Sequence, residues 1–218
     1  MRGTEATRIT GGLSNPSKMP GRAFGLPAAG KACPVGSKLA RVPGTVCFGC
    51  YATKGMYGFG TVQRAQQRRY QKVQRALRDP QYRVQWVQAM ARLIGRQTWF
   101  RWHDSGDVFS LAYLEMIVDV VRATPMTRHW LPTRELLTVR HYQREHGTFP
   151  ENLTVRLSLP KVDASLTDAW RVGQAFGLTT STVATSEWTC PASKQGNACA
   201  DCRACWNPTV PNVSYRKH

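Results

Sequence analysis

Seven cysteines in two compact groups constrain this chain more than any other feature. Cys33, Cys47 and Cys50 lie early, Cys190, Cys199, Cys202 and Cys205 lie late, and none falls between Tyr51 and Thr189. An odd number of thiols does not close a disulfide framework. The opening stretch to Gly21 lacks the apolar core of a secretory signal, so the expected compartment is the reducing cytoplasm, where thiols stay free. These cysteines sit in loops rich in Gly, Pro, Asn and Lys rather than at apolar periodic positions. They read as metal ligands, not as core.

The late group runs Cys190, eight residues, then Cys199-Ala-Asp-Cys202-Arg-Ala-Cys205-Trp206. Two successive two-residue gaps plus a more distant fourth thiol match the grip of bacterial ferredoxins on cubane clusters. Zinc is the rival, since four thiolates also hold it, although zinc sites usually pair two short-gap knuckles across a longer span. The early group runs Cys33, thirteen residues, then Cys47-Phe-Gly-Cys50-Tyr51. Three thiolates on a cubane leave one iron free for a small molecule. The alternative is that Cys47 and Cys50 complete a single site with the late group. Trp206 is expected to shield the late site from water.

Between the groups, strand and helix signals alternate. A patch at Ala23 to Pro27 reads as an opening strand. Val62 to Ala76 follows helical spacing until Asp79-Pro80 stops it, and Tyr82 to Ile94 forms a second helix ending near Gly95. Thr98 to His103 reads as a strand, Leu111 to Val121 as a helix, Arg128 to Pro132 as a strand and Leu136 to His146 as a basic helix. Leu153 to Leu159 is an alternating strand, Asp168 to Phe176 a helix stopped by Gly177, and Thr179 to Ala184 a last strand. Repeated β-then-α units predict an α/β fold with a parallel sheet, open or curled into a partial (β/α) barrel. The expected organisation is a barrel domain over 1–189 with a cysteine-rich segment over 190–218 packed on it. Parallel sheets place ligands at the carboxyl ends of their strands. The early cysteines, His103 to Asp107, Thr133 to Glu135 and Ser158 are therefore expected to meet on one face.

The chain carries 30 Lys and Arg against 13 Asp and Glu, a formal charge of +17. Val62 to Gln97 holds nine of the basic residues and one acid, Asp79. Such a stretch attracts nucleic acid or another anionic partner, or is simply a solvated helix face. No run is apolar over the ~18–20 residues a membrane helix needs, so no membrane partner is expected.

Several of these pieces together resemble the gene-product-eighty-eight family of phage and mobile-element proteins. They are Cys33-Pro34, Cys47-x-x-Cys50-Tyr51-Ala52, Arg101-x-His103-Asp104-Ser105-Gly106-Asp107 and Cys199-x-x-Cys202-Arg-x-Cys205-Trp206, spanning roughly residues 24–206. The resemblance implies an iron–sulfur protein acting in the host cytoplasm. A more distant resemblance is to radical S-adenosylmethionine (SAM) enzymes, which build a partial (β/α)6 barrel with three cysteines after the first strand. It implies that Cys33, Cys47 and Cys50 leave an open iron for SAM, with Tyr51 following. Ser105-Gly106-Asp107 would stand for the motif that holds the methionine amine, Thr133 would lie beside it, and Ser158 would contact the ribose. The late cysteines would form an auxiliary cluster, and a reductant protein would supply electrons. The wide gap between Cys33 and Cys47 and the shortened amine motif depart from that pattern.

His103 and Asp104 are the candidate proton donor and acceptor, and His103 alternatively ends its strand as a core histidine. Arg134 could bind a carboxylate or phosphate, or pair with Glu135. Three function classes stay open: an enzyme cleaving SAM reductively, a non-catalytic iron–sulfur carrier or redox sensor with or without nucleic acid, and a zinc-stabilised binding module.

Overall fold

The computed structural model describes residues 1–95 and 97–217. Its strands are β1 (Arg22–Phe24), β2 (Trp99–Trp102), β3 (Arg128–Thr133), β4 (Leu153–Val162), β5 (Thr179–Ala184) and β6 (Asn212–Arg216). Every neighbouring pair is parallel and the spatial order follows the chain, β1-β2-β3-β4-β5-β6. With no reversal of strand order there is no switch point of the doubly wound kind. The helices are α1 (Gly3–Thr10), α2 (Pro34–Leu39), α3 (Gly60–Ala76), α4 (Pro80–Ile94), α5 (Leu111–Arg122), α6 (Leu136–His146) and α7 (Leu166–Phe176).

Side-chain alternation divides the sheet into two differently covered faces. Phe24, Phe100, Trp102, Leu131, Val155 and Leu157 point into the main core with Trp86, Met90, Leu114 and Ile117 of α4 and α5. Their neighbours Ala23 and Trp130 point the other way, into a second cluster with Cys205, Trp206 and Val213. The connection from β5 to β6 is thus the cysteine-rich segment, lying on the face opposite the main helical core. The same segment goes on to supply the sixth strand, Asn212–Arg216, paired with β5.

Local chemistry explains the boundaries. Asp79 accepts the Tyr82 amide at 3.0 Å and Pro80 opens α4; Ser110 and Ser165 cap α5 and α7 by accepting the amides of Tyr113 and Asp168. Gly177, in the left-handed region, ends α7. Among the described residues no helix is long and apolar enough to cross a membrane.

Candidate functional site

The early cysteines are fastened to the carboxyl ends of three strands. Cys33 caps α2, whose Val35 amide donates to Glu135 Oε1 at 2.8 Å, just beyond β3. The Asp107 amide, beyond β2, donates to Ala32 O at 3.0 Å. Val46 N donates to Pro160 O and Val162 N to Gly44 O, which ties the loop to the end of β4. Gly36 sits between two of the sulfurs: a β-carbon there would collide with Cys33 Sγ and stand 3.7 Å from Cys47 Sγ. Burial pushes the Cys33 thiol up, and the neighbouring Asp107, Cys47 and Cys50 add to this while Arg134 opposes it. Cys47 is raised by burial too, against the pull of Arg134, with Cys50 and Asp107 raising it further. The three thiols therefore share one electrostatic neighbourhood.

The segment after β2 is built as a tight knot on that loop. Gly106 has φ +76°, and a β-carbon there would press on Leu26 at 2.7 Å. Ser105 Oγ donates to Leu26 O and accepts from Gln66 Nε2, both at 2.7 Å. Asp107 is buried; its Oδ1 accepts Thr133 Oγ1 at 2.6 Å and the Val108 amide at 2.7 Å, and its Oδ2 accepts the Arg134 amide at 2.9 Å. Burial raises its carboxyl, and these three donors work against that. Asp104 is also buried and accepts Tyr57 Oη at 3.3 Å, while Tyr51 Oη donates to the Asp104 carbonyl at 2.9 Å. His103 holds φ 53° and its Nε2 lies 3.1 Å from Tyr113 Oη. Burial, then Arg101, lowers its pKa to about 3, so the ring is neutral at neutral pH. Ser158 lies farther along, 3.0 Å from Ser181 Oγ on β5.

The four late cysteines line one pocket, walled otherwise by apolar side chains such as Ala192, Trp206 and Val213. Cys190 N donates to Ser214 O, Cys199 N to Lys18 O, and Cys205 Sγ lies 3.1 Å from Tyr215 Oη. Burial raises the Cys205 pKa to about 11, opposed by the Tyr215 bond and Arg156. Trp206 is buried, and its indole donates to Phe100 O at 2.9 Å, anchoring the segment to β2. Beneath the segment lies Arg156 of β4, fully buried. Its guanidinium donates to the carbonyls of Ala204, Cys205, Asn207, Val210 and Thr180 at 2.6–3.1 Å.

Within each group the sulfurs act on one another: Cys33 with Cys47 and Cys50, Cys199 with Cys190 and Cys202, Cys205 with Cys190. The shared neighbour is Arg101, bonded to Tyr51 Oη at 3.2 Å, set 4.5 Å over the Trp130 ring, and close enough to Cys199 and Cys205 to work against the burial that raises both thiols. Among the described residues no three His, Cys, Asp or Glu side chains are gathered to hold a metal ion. Sequence reasoning missed Arg156 and Tyr215, and gave Arg101 no role beyond its place in the family motif. Arg156 falls with Thr154 and Ser158 at the polar positions of an alternating strand, so the sequence carried no signal that it is buried.

A family model described as Gene product 88 matches residues 2–208, nearly the whole chain. Neither a curated protein nor a solved structure matches.

Proposed function

The chain belongs to the gene product 88 family, and from that premise we propose that it is an iron–sulfur enzyme of radical-SAM type. On this reading the late cysteines hold an auxiliary [4Fe-4S] cluster and the early three hold the cluster that binds SAM. The observation that carries it is the division of seven thiols into a separate three and four. The unbroken sequential order of the parallel strands supports a sheet curled as a partial barrel, with the early group at its ligand-binding end.

The residues fit such groups. The four late thiols line one pocket whose other walls are largely apolar, which would keep water from a cluster held there. Buried Arg156, bonded only to carbonyls, offers a positive charge to a metal–thiolate centre of net negative charge. Bound by three thiolates, a [4Fe-4S] cluster supplies an open iron for SAM and one electron for its reduction. The protein's part is positioning. Asp107 has three of about four acceptor positions filled and keeps one for the methionine ammonium. Arg134, beside Cys33 and Cys47, offsets thiolate charge and can take the methionine carboxylate. Thr133 and Glu135 hold Asp107 and the Cys33 loop in register. His103 serves as a neutral hydrogen-bonding group rather than a cationic acid.

Anaerobic reconstitution followed by SAM and dithionite should release 5′-deoxyadenosine. A fully loaded, reduced protein that yields none would refute the enzymatic reading. A second reading, an electron-carrying iron–sulfur protein, would then stand. It is favoured by the packing of Trp206, Trp130 and Arg156 over the sheet face that an enzyme would use for substrate.

A further inference from the structure

The surface around the early cysteines has a composition that the cluster reading does not use. Between Glu5 and Asp79 the chain has no acidic residue and thirteen Lys and Arg. Within that segment, the loop joining Cys47 to α3 leaves large apolar side chains in solvent: Phe48 is 54% exposed, Met56 73% and Phe59 59%. Cations alternate with them. Lys54 Nζ lies against Gly49, within 3.3 Å of where its β-carbon would be, and the Arg64 guanidinium folds back on Gly60. Arg64 and Arg68 lie one turn apart on α3, both exposed, while Arg69 turns inward to bond Gly12 O and Ser14 Oγ. Tyr51 and Tyr57 stack edge to face at 5.7 Å between this rim and Asp104.

We propose that this rim binds single-stranded nucleic acid and presents one nucleotide to the early cysteine site. Exposed rings spaced by unpaired-sign cations are what a single strand requires: π-faces for bases and positive charge tracking the phosphates. A protein partner is recognised differently, because charges of both signs fix its register. The 73 residues that carry the rim hold no carboxylate, and Asp104, Asp107 and Glu135 beside them are buried, so no such register is offered. Duplex is disfavoured, because paired bases have no free faces for Phe48 and Phe59. Strand binding stands independently of the clusters; only the presentation to the early thiols rests on the function proposed above.

The test is fluorescence anisotropy with a labelled single strand of about 20 nucleotides, long enough to span a typical site, against the same sequence as duplex. The single strand should bind more tightly, and Phe48→Ala and Phe59→Ala should each weaken it about ten-fold, or about 1.4 kcal/mol. Arg64→Gln with Arg68→Gln should lower the slope of log affinity against log salt by about 1.4, from ~0.7 per phosphate contact. Arg144→Gln, on exposed α6, should change neither. Equal binding of duplex, loss of affinity with Arg144→Gln matching that with the α3 pair, or indifference to both ring variants would overturn the proposal. So would binding of an acidic flavoprotein reductant in place of the oligonucleotide. Iron is assayed on the same samples: strand binding by a protein that cannot hold iron would sink the cluster reading and leave this one intact.

Discussion

Arg156 is the residue whose removal should report most clearly on how the late cysteines are held. Its guanidinium makes five bonds to backbone carbonyls, four of them in the segment from Ala204 to Val210. Bonds to a charged donor contribute about 1.5–3 kcal/mol each, so the gross interaction is on the order of 10 kcal/mol. Burying the guanidinium costs several kcal/mol, which Arg156→Met would return. Orphaned carbonyls remain in the variant, and the net loss should be about 3–5 kcal/mol. For a chain of this size that lowers Tm by about 10 °C. Arg156→Lys keeps the charge but has three donors for five acceptors, so it should recover less than half of the loss. Denaturant unfolding gives the stability, and iron analysis gives the local effect: both variants should lose late-site iron first. A Met variant within about 0.5 kcal/mol of the parent, with full iron, would refute the claim that this guanidinium ties down the cysteine segment.

Acid should destabilise the protein through its buried histidines. The folded pKa values of His103 and His129 are about 3 against 6.5 unfolded, so their contribution is complete above about pH 6.5 and is lost as pH falls toward 3. Between about pH 7 and 5.5 the loss should be about 2 kcal/mol, and His129→Asn should remove about half of that slope; an unchanged slope would contradict it. Trp206→Phe keeps the ring packed on Trp99 and Trp130 but orphans Phe100 O, and should cost about 1–3 kcal/mol in urea unfolding. Glu135→Ala, which frees the Val35 amide, should lower early-site iron while Glu135→Gln, still an acceptor, retains it. Equal iron in the two variants would show that this bond does not position Cys33.

Much of the fold was legible where punctuation was strong. The α6 helix, the strand β5 and the stop of α7 at Gly177 all fall where the periodicity and the glycine predicted. Two elements were not. The α1 helix is short and polar, and shows itself only through Ala6, Ile9 and Thr10, buried at helical spacing. The β6 strand alternates Val213 and Tyr215 inward, but five residues near the chain end carry little signal without their partner β5. The convergence of the early cysteines with His103 to Asp107 and Thr133 to Glu135 was readable because parallel sheets impose it. Ser158, expected there too, lies on β4 and bonds Ser181 of β5. The second face of the sheet was not readable. Alternation in Leu153 to Leu159 and in Trp99-Phe-Arg-Trp102 normally marks one wet face. Here Arg101 and Arg156 lie under a segment whose position only the tertiary fold determines.

The central claim, two separate clusters on a three-thiol and a four-thiol site, is tested most directly by anaerobic iron and sulfide counts with paramagnetic resonance. The wild type should hold about eight irons and eight sulfides per chain, as two [4Fe-4S] clusters require. With Cys190, Cys199, Cys202 and Cys205 all changed to serine, about four should remain, and SAM should still shift the spectrum of the reduced protein. Loss of all iron on removing either group would mean one shared centre, and stoichiometric zinc without sulfide would mean no cluster. Either result would contradict the account.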